Sequence, residues 1–133
     1  MVLVTARITW LVCVLAAVIT IILLVTSVAA PRGNDVLALA FALSPYPVLA
    51  LLAGAQRRSP FVSRLLLTIT VVLAVGGTCL FAVDSCRYHM IPEHRMVQRM
   101  TPLVVPMLQW VVVAPLGLSF LVKRAVSVSG KEE

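Results

Sequence analysis

The amino-acid sequence predicts an all-α, polytopic membrane protein: one domain, residues 1–133, with four transmembrane helices in an antiparallel bundle. Apolar residues make up 61% of the chain and charged residues only 12%. The apolar residues form four long stretches, and the short segments between them hold nearly all the charge. A soluble chain of this length has no interior for so much apolar surface, whereas a bilayer accepts it.

The first two stretches are residues 8–30 and residues 36–55. The first contains no charged residue. Since a helix rises about 1.5 Å per residue, 23 residues cross a hydrocarbon core of about 30 Å. The second is also long enough, but Pro45 and Pro47 lie near its middle and each removes a backbone donor. We therefore expect a kink near residues 44–47, covered by neighbouring helices.

The third and fourth stretches are residues 61–83 and residues 101–122. Gly76 and Gly77 lie in the third, and we expect them at a packing face because small residues let another helix approach closely. Proline occurs three times in the fourth stretch. The one at position 115 predicts a bend in that helix.

The distribution of Lys and Arg predicts the orientation, since cytoplasmic loops carry the excess of these residues. Both termini are expected to be cytoplasmic, in the plasma membrane and most simply a bacterial inner membrane. The net charge of +6 is read as this topological signal and as attraction to anionic headgroups, not as nucleic-acid binding. Seven basic residues lie on the side of the termini and four on the other: Arg7, Arg57, Arg58, Arg64, Lys123, Arg124 and Lys131, against Arg32, Arg87, Arg95 and Arg99.

The N-terminal stretch has a second interpretation as a secretory signal, because a basic residue precedes an apolar run that ends in small residues. The apolar part of such a signal usually covers about 7 to 15 residues. The run of residues 8–30 is longer, so a retained first helix is expected.

The third loop, residues 84–100, is where reactive side chains concentrate. Cys86, His89 and His94 are its candidate metal ligands. Their spacing matches no usual structural zinc pattern, and Pro92 interrupts the helix that would align them. The preferred interpretation is an interfacial loop without metal or other cofactor, whose aromatic rings lie at headgroup depth.

The three cysteines raise the question of a resemblance to the four-helix disulfide-generating membrane oxidoreductases, which use a Cys-x-x-Cys pair. No such pair occurs here. Cys79 and Cys86 would be about 10 Å apart along a continuous helix, too far for a disulfide. The sequence also has no nucleophile beside a base and no glycine-rich phosphate loop, so we do not expect an enzyme.

Gln109 is the strongly polar residue expected deep within a span, next to Trp110. Its amide would be costly unpaired in hydrocarbon, so it should meet the Ser44 to Tyr46 region or another subunit. Ion-coupled transport normally needs an ionisable group within a span. Four-helix multidrug exporters carry an acidic residue in their first helix, and this chain has none there.

Several short motifs resemble a group of small uncharacterised bacterial four-helix inner-membrane proteins, over roughly residues 44–124. They are Pro45-Tyr46 followed by Leu-Ala-Leu-Leu-Ala, Asp84 after the third apolar run, and Pro-Met-Leu-Gln-Trp at 106–110 followed by Lys123-Arg124. The chain departs from the Pro-Leu-Tyr-Gln-like sequence of that group at Met107-Leu108. The resemblance implies location and topology, and no site residues.

These observations favour a non-enzymatic accessory or assembly subunit, or an interaction protein. Its partners would be the lipid bilayer and either other membrane subunits or copies of itself. The alternative is a small transporter or channel-like oligomer with a midplane cavity between the proline-broken second and fourth helices. A metal- or haem-binding membrane protein is the third possibility. The expected helix-packing or partner contacts are Ser44, Tyr46, Gly76, Gly77, Gln109 and Trp110.

Overall fold

The computed structural model describes residues 2–27, 33–55, 59–95 and 101–130. Within these ranges the chain is all-α, without a β-strand, as the sequence predicts. The elements are α1 (Val2–Thr26), α2 (Gly33–Leu43), α3 (Pro45–Ala55), α4 (Pro60–Met90), a 3-10 turn (Pro92–Arg95) and α5 (Thr101–Ser129).

Four helical segments are long and apolar enough to cross a membrane, the same number as the apolar stretches of the sequence. The second combines α2 and α3. The segments are Leu3–Thr26, Asp35–Ala55, Pro60–Met90 and Pro102–Ser129.

The second segment is broken at Ser44, within the region where the kink is predicted. In an uninterrupted helix the Phe41 carbonyl would accept from the backbone N–H of residue 45, and proline has none. Ser44 supplies the missing donors: its N–H lies 3.2 Å and its hydroxyl 2.6 Å from the Phe41 oxygen. The break therefore leaves the Phe41 carbonyl hydrogen-bonded.

The third segment is longer than the apolar stretch of residues 61–83, and the loop expected from residue 84 to residue 90 is wrong. These residues continue α4, because no proline or glycine occurs among them. The helix ends where Ile91, held extended before Pro92 (φ −119°, ψ 103°), donates its N–H to the Arg87 carbonyl. Residues 84–90 are thus the last two turns of α4.

Two other helices also extend beyond their expected ends. α1 begins at Val2 and not at residue 8, so Arg7 is helical, while residues 28–30 lie outside the described part. α5 continues past residue 122 to Ser129 and runs without interruption through Pro106 and Pro115. The bend expected at Pro115 stays a prediction.

The interior is built mostly from small and medium-sized side chains. α1 packs chiefly against α4 and α3, and α5 packs against α2, α3 and α4. Many of the large apolar side chains point outward, as in Trp10, Leu51, Val72 and Val111. The main buried cluster is formed by Cys13, Ala16, Tyr46, Leu49, Leu52, Ala53, Leu66, Ala74 and Val113.

Candidate functional site

A buried amide contact centres on Gln109 of α5. Its side chain is 3% exposed and lies between α3, α4 and α5. Nε2 donates to the backbone carbonyl of Leu73 at 3.2 Å and lies 3.4 Å from the Tyr46 hydroxyl, which is the weaker contact. One amide group therefore links three helices.

Gly77 is what lets Gln109 come this close to α4. A Cβ atom built on Gly77 would lie 2.5 Å from Gln109 Nε2 and 3.4 Å from the Tyr46 hydroxyl. A side chain at position 77 would thus occupy the space of the amide. Gly76 is exposed, and a Cβ built there meets nothing within 4 Å among the described residues, so the expected close contact at Gly76 is not made by that part of the chain.

A second hydrogen bond joins α5 to the break in the second span. The indole N–H of Trp110 donates to the Ser44 hydroxyl at 2.8 Å, and that hydroxyl itself donates to Phe41. Residues 109 and 110 point about 100° apart on a helix, so they contact different parts of the second span. The six residues expected from the sequence thus meet here, except for Gly76.

Two buried oxygen atoms have no hydrogen-bond partner among the described residues: Gln109 Oε1 and Thr20 Oγ1. The threonine hydroxyl lies in α1 and is fully buried. An unpaired amide oxygen in a low-dielectric interior costs about 1–3 kcal/mol. The Gln109 contact is therefore half satisfied, with its donor used and its acceptor open.

Another interhelical contact, between Ser27 and Ser85, is not among those expected from the sequence. Both side chains are buried, and their hydroxyl oxygens are 2.8 Å apart and hydrogen-bonded. The pair joins the end of α1 to the last part of α4. Position 85 is assigned to a loop in the sequence analysis, and this assignment hides the contact.

The metal-ligand candidates do not converge in the described part of the chain. Cys86 and His89 are exposed and three residues apart on α4, while the His94 side chain lies outside the described residues. The His89 ring packs edge-on against Tyr88, with ring centroids 5.3 Å apart. Within the described ranges no three of His, Cys, Asp and Glu lie close enough to hold a metal ion.

The polar groups of this arrangement form hydrogen bonds between helices. The amide of Gln109, the indole of Trp110 and the serine pair each tie one helix to another at fixed points. No protein-family model, curated protein or solved structure matches this chain.

Proposed function

We propose that the chain is a non-enzymatic integral membrane protein that serves as an accessory or assembly subunit, or as an interaction protein, of a larger membrane complex or homo-oligomer. Its four spans would alternate in direction and form an antiparallel bundle. The proposed location is a plasma membrane, most simply a bacterial inner membrane, with both termini in the cytoplasm.

One observation carries the proposal: the polar groups at depth are engaged mainly inside the bundle, while the outward surface is apolar. Gln109 donates a hydrogen bond to α4, and Trp110 donates one to the second span. Outward residues such as Leu51 and Val111, both more than 70% exposed, can contact lipid tails or other helices. Recognition by this protein would therefore use its outer surface, where packing decides association in a bilayer.

Native extraction tests this function. We would take the protein out of its membrane in polymer-bounded nanodiscs without detergent, then measure its mass and identify any proteins that remain with it. A stoichiometric second membrane protein, or a discrete oligomer, is the expected result. A single copy with no companion, in discs large enough to hold several, would contradict the proposal.

Orientation needs a separate experiment. Fusions placed after Lys123 should give an active cytoplasmic reporter and an inactive alkaline phosphatase, because seven of the eleven Lys and Arg residues lie on the proposed cytoplasmic side. The opposite activities at this position would reverse the proposed topology. They would leave the subunit hypothesis open.

A small transporter is the second candidate, because Gln109 Oε1 is a buried acceptor with no donor among the described residues. A transported polar molecule could meet it beside the break at Ser44. Gln109→Leu separates the two functions. If the wild-type protein transports a polar molecule and the folded, normally assembled Gln109→Leu variant does not, transport is favoured. If the variant assembles normally and the wild-type protein shows no transport, the structural role is favoured.

A further inference from the structure

An open groove of about 650 Å³ lies between the N-terminal part of α1 and the C-terminal part of α3. Arg7 and Trp10 line it from α1, and Leu51 and Gly54 line it from α3. The arginine, tryptophan and leucine are all exposed. The groove therefore combines a cation, an indole ring and apolar walls in one concave surface.

The order of these groups along α1 matches the layers of a membrane leaflet. Trp10 lies about 4.5 Å further along the helix than Arg7, and Leu11 about 6 Å further, at about 1.5 Å rise per residue. Arginine at headgroup level pairs with phosphate through two parallel hydrogen bonds. Tryptophan is enriched at the interface just below, and leucine belongs in the hydrocarbon.

The charge of Arg7 selects among the occupants that could fill such a groove. A transmembrane helix of a partner would cover the guanidinium with apolar surface, which is costly at this depth. A free phosphate ion would leave Leu11 and Leu51 uncovered. A lipid with an anionic headgroup satisfies the arginine and the apolar walls together.

We propose that this groove binds one anionic phospholipid, with its phosphate against Arg7 and an acyl chain along Leu11 and Leu51. The proposal rests on the membrane insertion proposed above. It assigns a lipid-binding site to the protein in addition to its role as a subunit. The preference for an anionic headgroup should be about fivefold, since one arginine near a membrane surface contributes about 1 kcal/mol.

Fluorescence quenching of Trp10 tests the site directly. The chain has two tryptophans, so a Trp110→Phe background leaves Trp10 as the reporter. We would reconstitute it into mixed phosphatidylglycerol and phosphatidylcholine vesicles, with bromine on the acyl chains of either lipid. At equal mole fractions, brominated phosphatidylglycerol should quench Trp10 with about fivefold higher relative affinity.

Two matched pairs of variants separate the groove from the general surface charge. Arg7→Gln should abolish the preference, whereas Arg64→Gln, which removes an exposed arginine of α4 outside the groove, should keep most of it. Gly54→Leu should block the groove and abolish the lipid preference. Gly76→Leu adds the same side chain elsewhere on the outer surface and should keep that preference. A Cβ at either glycine meets nothing within 4 Å, so both variants should fold.

The outcomes distinguish this proposal from the membrane proposal beneath it. Equal quenching by the two lipids, or an equal loss in Arg7→Gln and Arg64→Gln, overturns the lipid site and leaves membrane insertion intact. If neither lipid quenches Trp10 although carbonate does not extract the protein from the membrane, another protein surface covers the groove. That outcome also overturns the lipid site. Release of the protein by carbonate overturns insertion itself. Lipid that copurifies with the wild-type chain, enriched in phosphatidylglycerol about fivefold over Arg7→Gln, is the second readout.

Discussion

Gly77→Ala should destabilise the protein by about 0.6–3 kcal/mol, through a clash with Gln109 and not through the backbone. The added methyl carbon would lie 2.5 Å from Nε2, and ordinary contact begins at 3.4 Å, so the amide must move by about 0.9 Å (3.4 minus 2.5). Overpacking of this kind costs about 1–3 kcal/mol. Weakening the bond to Leu73 adds about 0.6 kcal/mol, and the better helix propensity of alanine returns about 0.5–1 kcal/mol.

Equilibrium unfolding by sodium dodecyl sulfate in mixed micelles, followed by tryptophan fluorescence, measures this difference. Gly76→Ala is the matched control because its methyl group meets nothing within 4 Å. In a Gln109→Ala background the clash is absent, so Gly77→Ala should stabilise by about 0.5–1 kcal/mol through helix propensity, and the coupling energy should be about 1.6–3.6 kcal/mol. If Gly77→Ala is as stable as Gly76→Ala, or its cost persists without the amide, the described contact is wrong.

Two further predictions use the same unfolding assay. Ser27→Ala and Ser85→Ala should each cost about 0.6 kcal/mol, and the double variant about as much as Ser27→Ala alone, because both remove the same interhelical hydrogen bond; Ser27 also bonds the Leu23 carbonyl of its own helix, and additive costs would show that the two hydroxyls are not coupled. Thr26→Ala is the control, since its exposed hydroxyl bonds carbonyls of its own helix. Trp110→Phe keeps an aromatic ring but removes the pyrrole part of the indole together with the donor to Ser44, so it should cost about 0.6–1.7 kcal/mol for the hydrogen bond plus a packing term. Only the hydrogen-bond part should disappear in a Ser44→Ala background, and an equal total cost in both backgrounds would show that only packing is measured.

Local chemistry at two places could be read from the sequence. Paired prolines at 45 and 47 leave carbonyls without donors, so a break near them follows from backbone chemistry alone. A glutamine amide within hydrocarbon needs a partner, so the inward position of Gln109 follows from the cost of leaving it unpaired. Each of these two inferences needs only the chemistry of one residue type, proline or glutamine, in a hydrocarbon environment.

The direction of each helix face could not be read in the same way. A soluble helix shows which side is buried by its apolar stripe, but a membrane helix is apolar all round. Gly76 and Gly77 are therefore equivalent in the sequence, although one is exposed and the other lies against Gln109. The Ser27–Ser85 pair is hidden for the same reason, and because the charged residue Asp84 predicts the end of the apolar stretch although α4 continues to Met90.

In the proposed membrane arrangement, the continuation of α4 to Met90 carries the end of this helix beyond the hydrocarbon. The 31 residues of this helix measure about 46 Å, well over the hydrocarbon thickness of about 30 Å. Asp84 and Arg87, three residues apart, thus lie on one face of a continuous helix, which fixes their positions relative to each other. A molecule that docks there meets groups already in place, and escapes the cost of about 1–2 kcal/mol per residue for ordering a flexible loop.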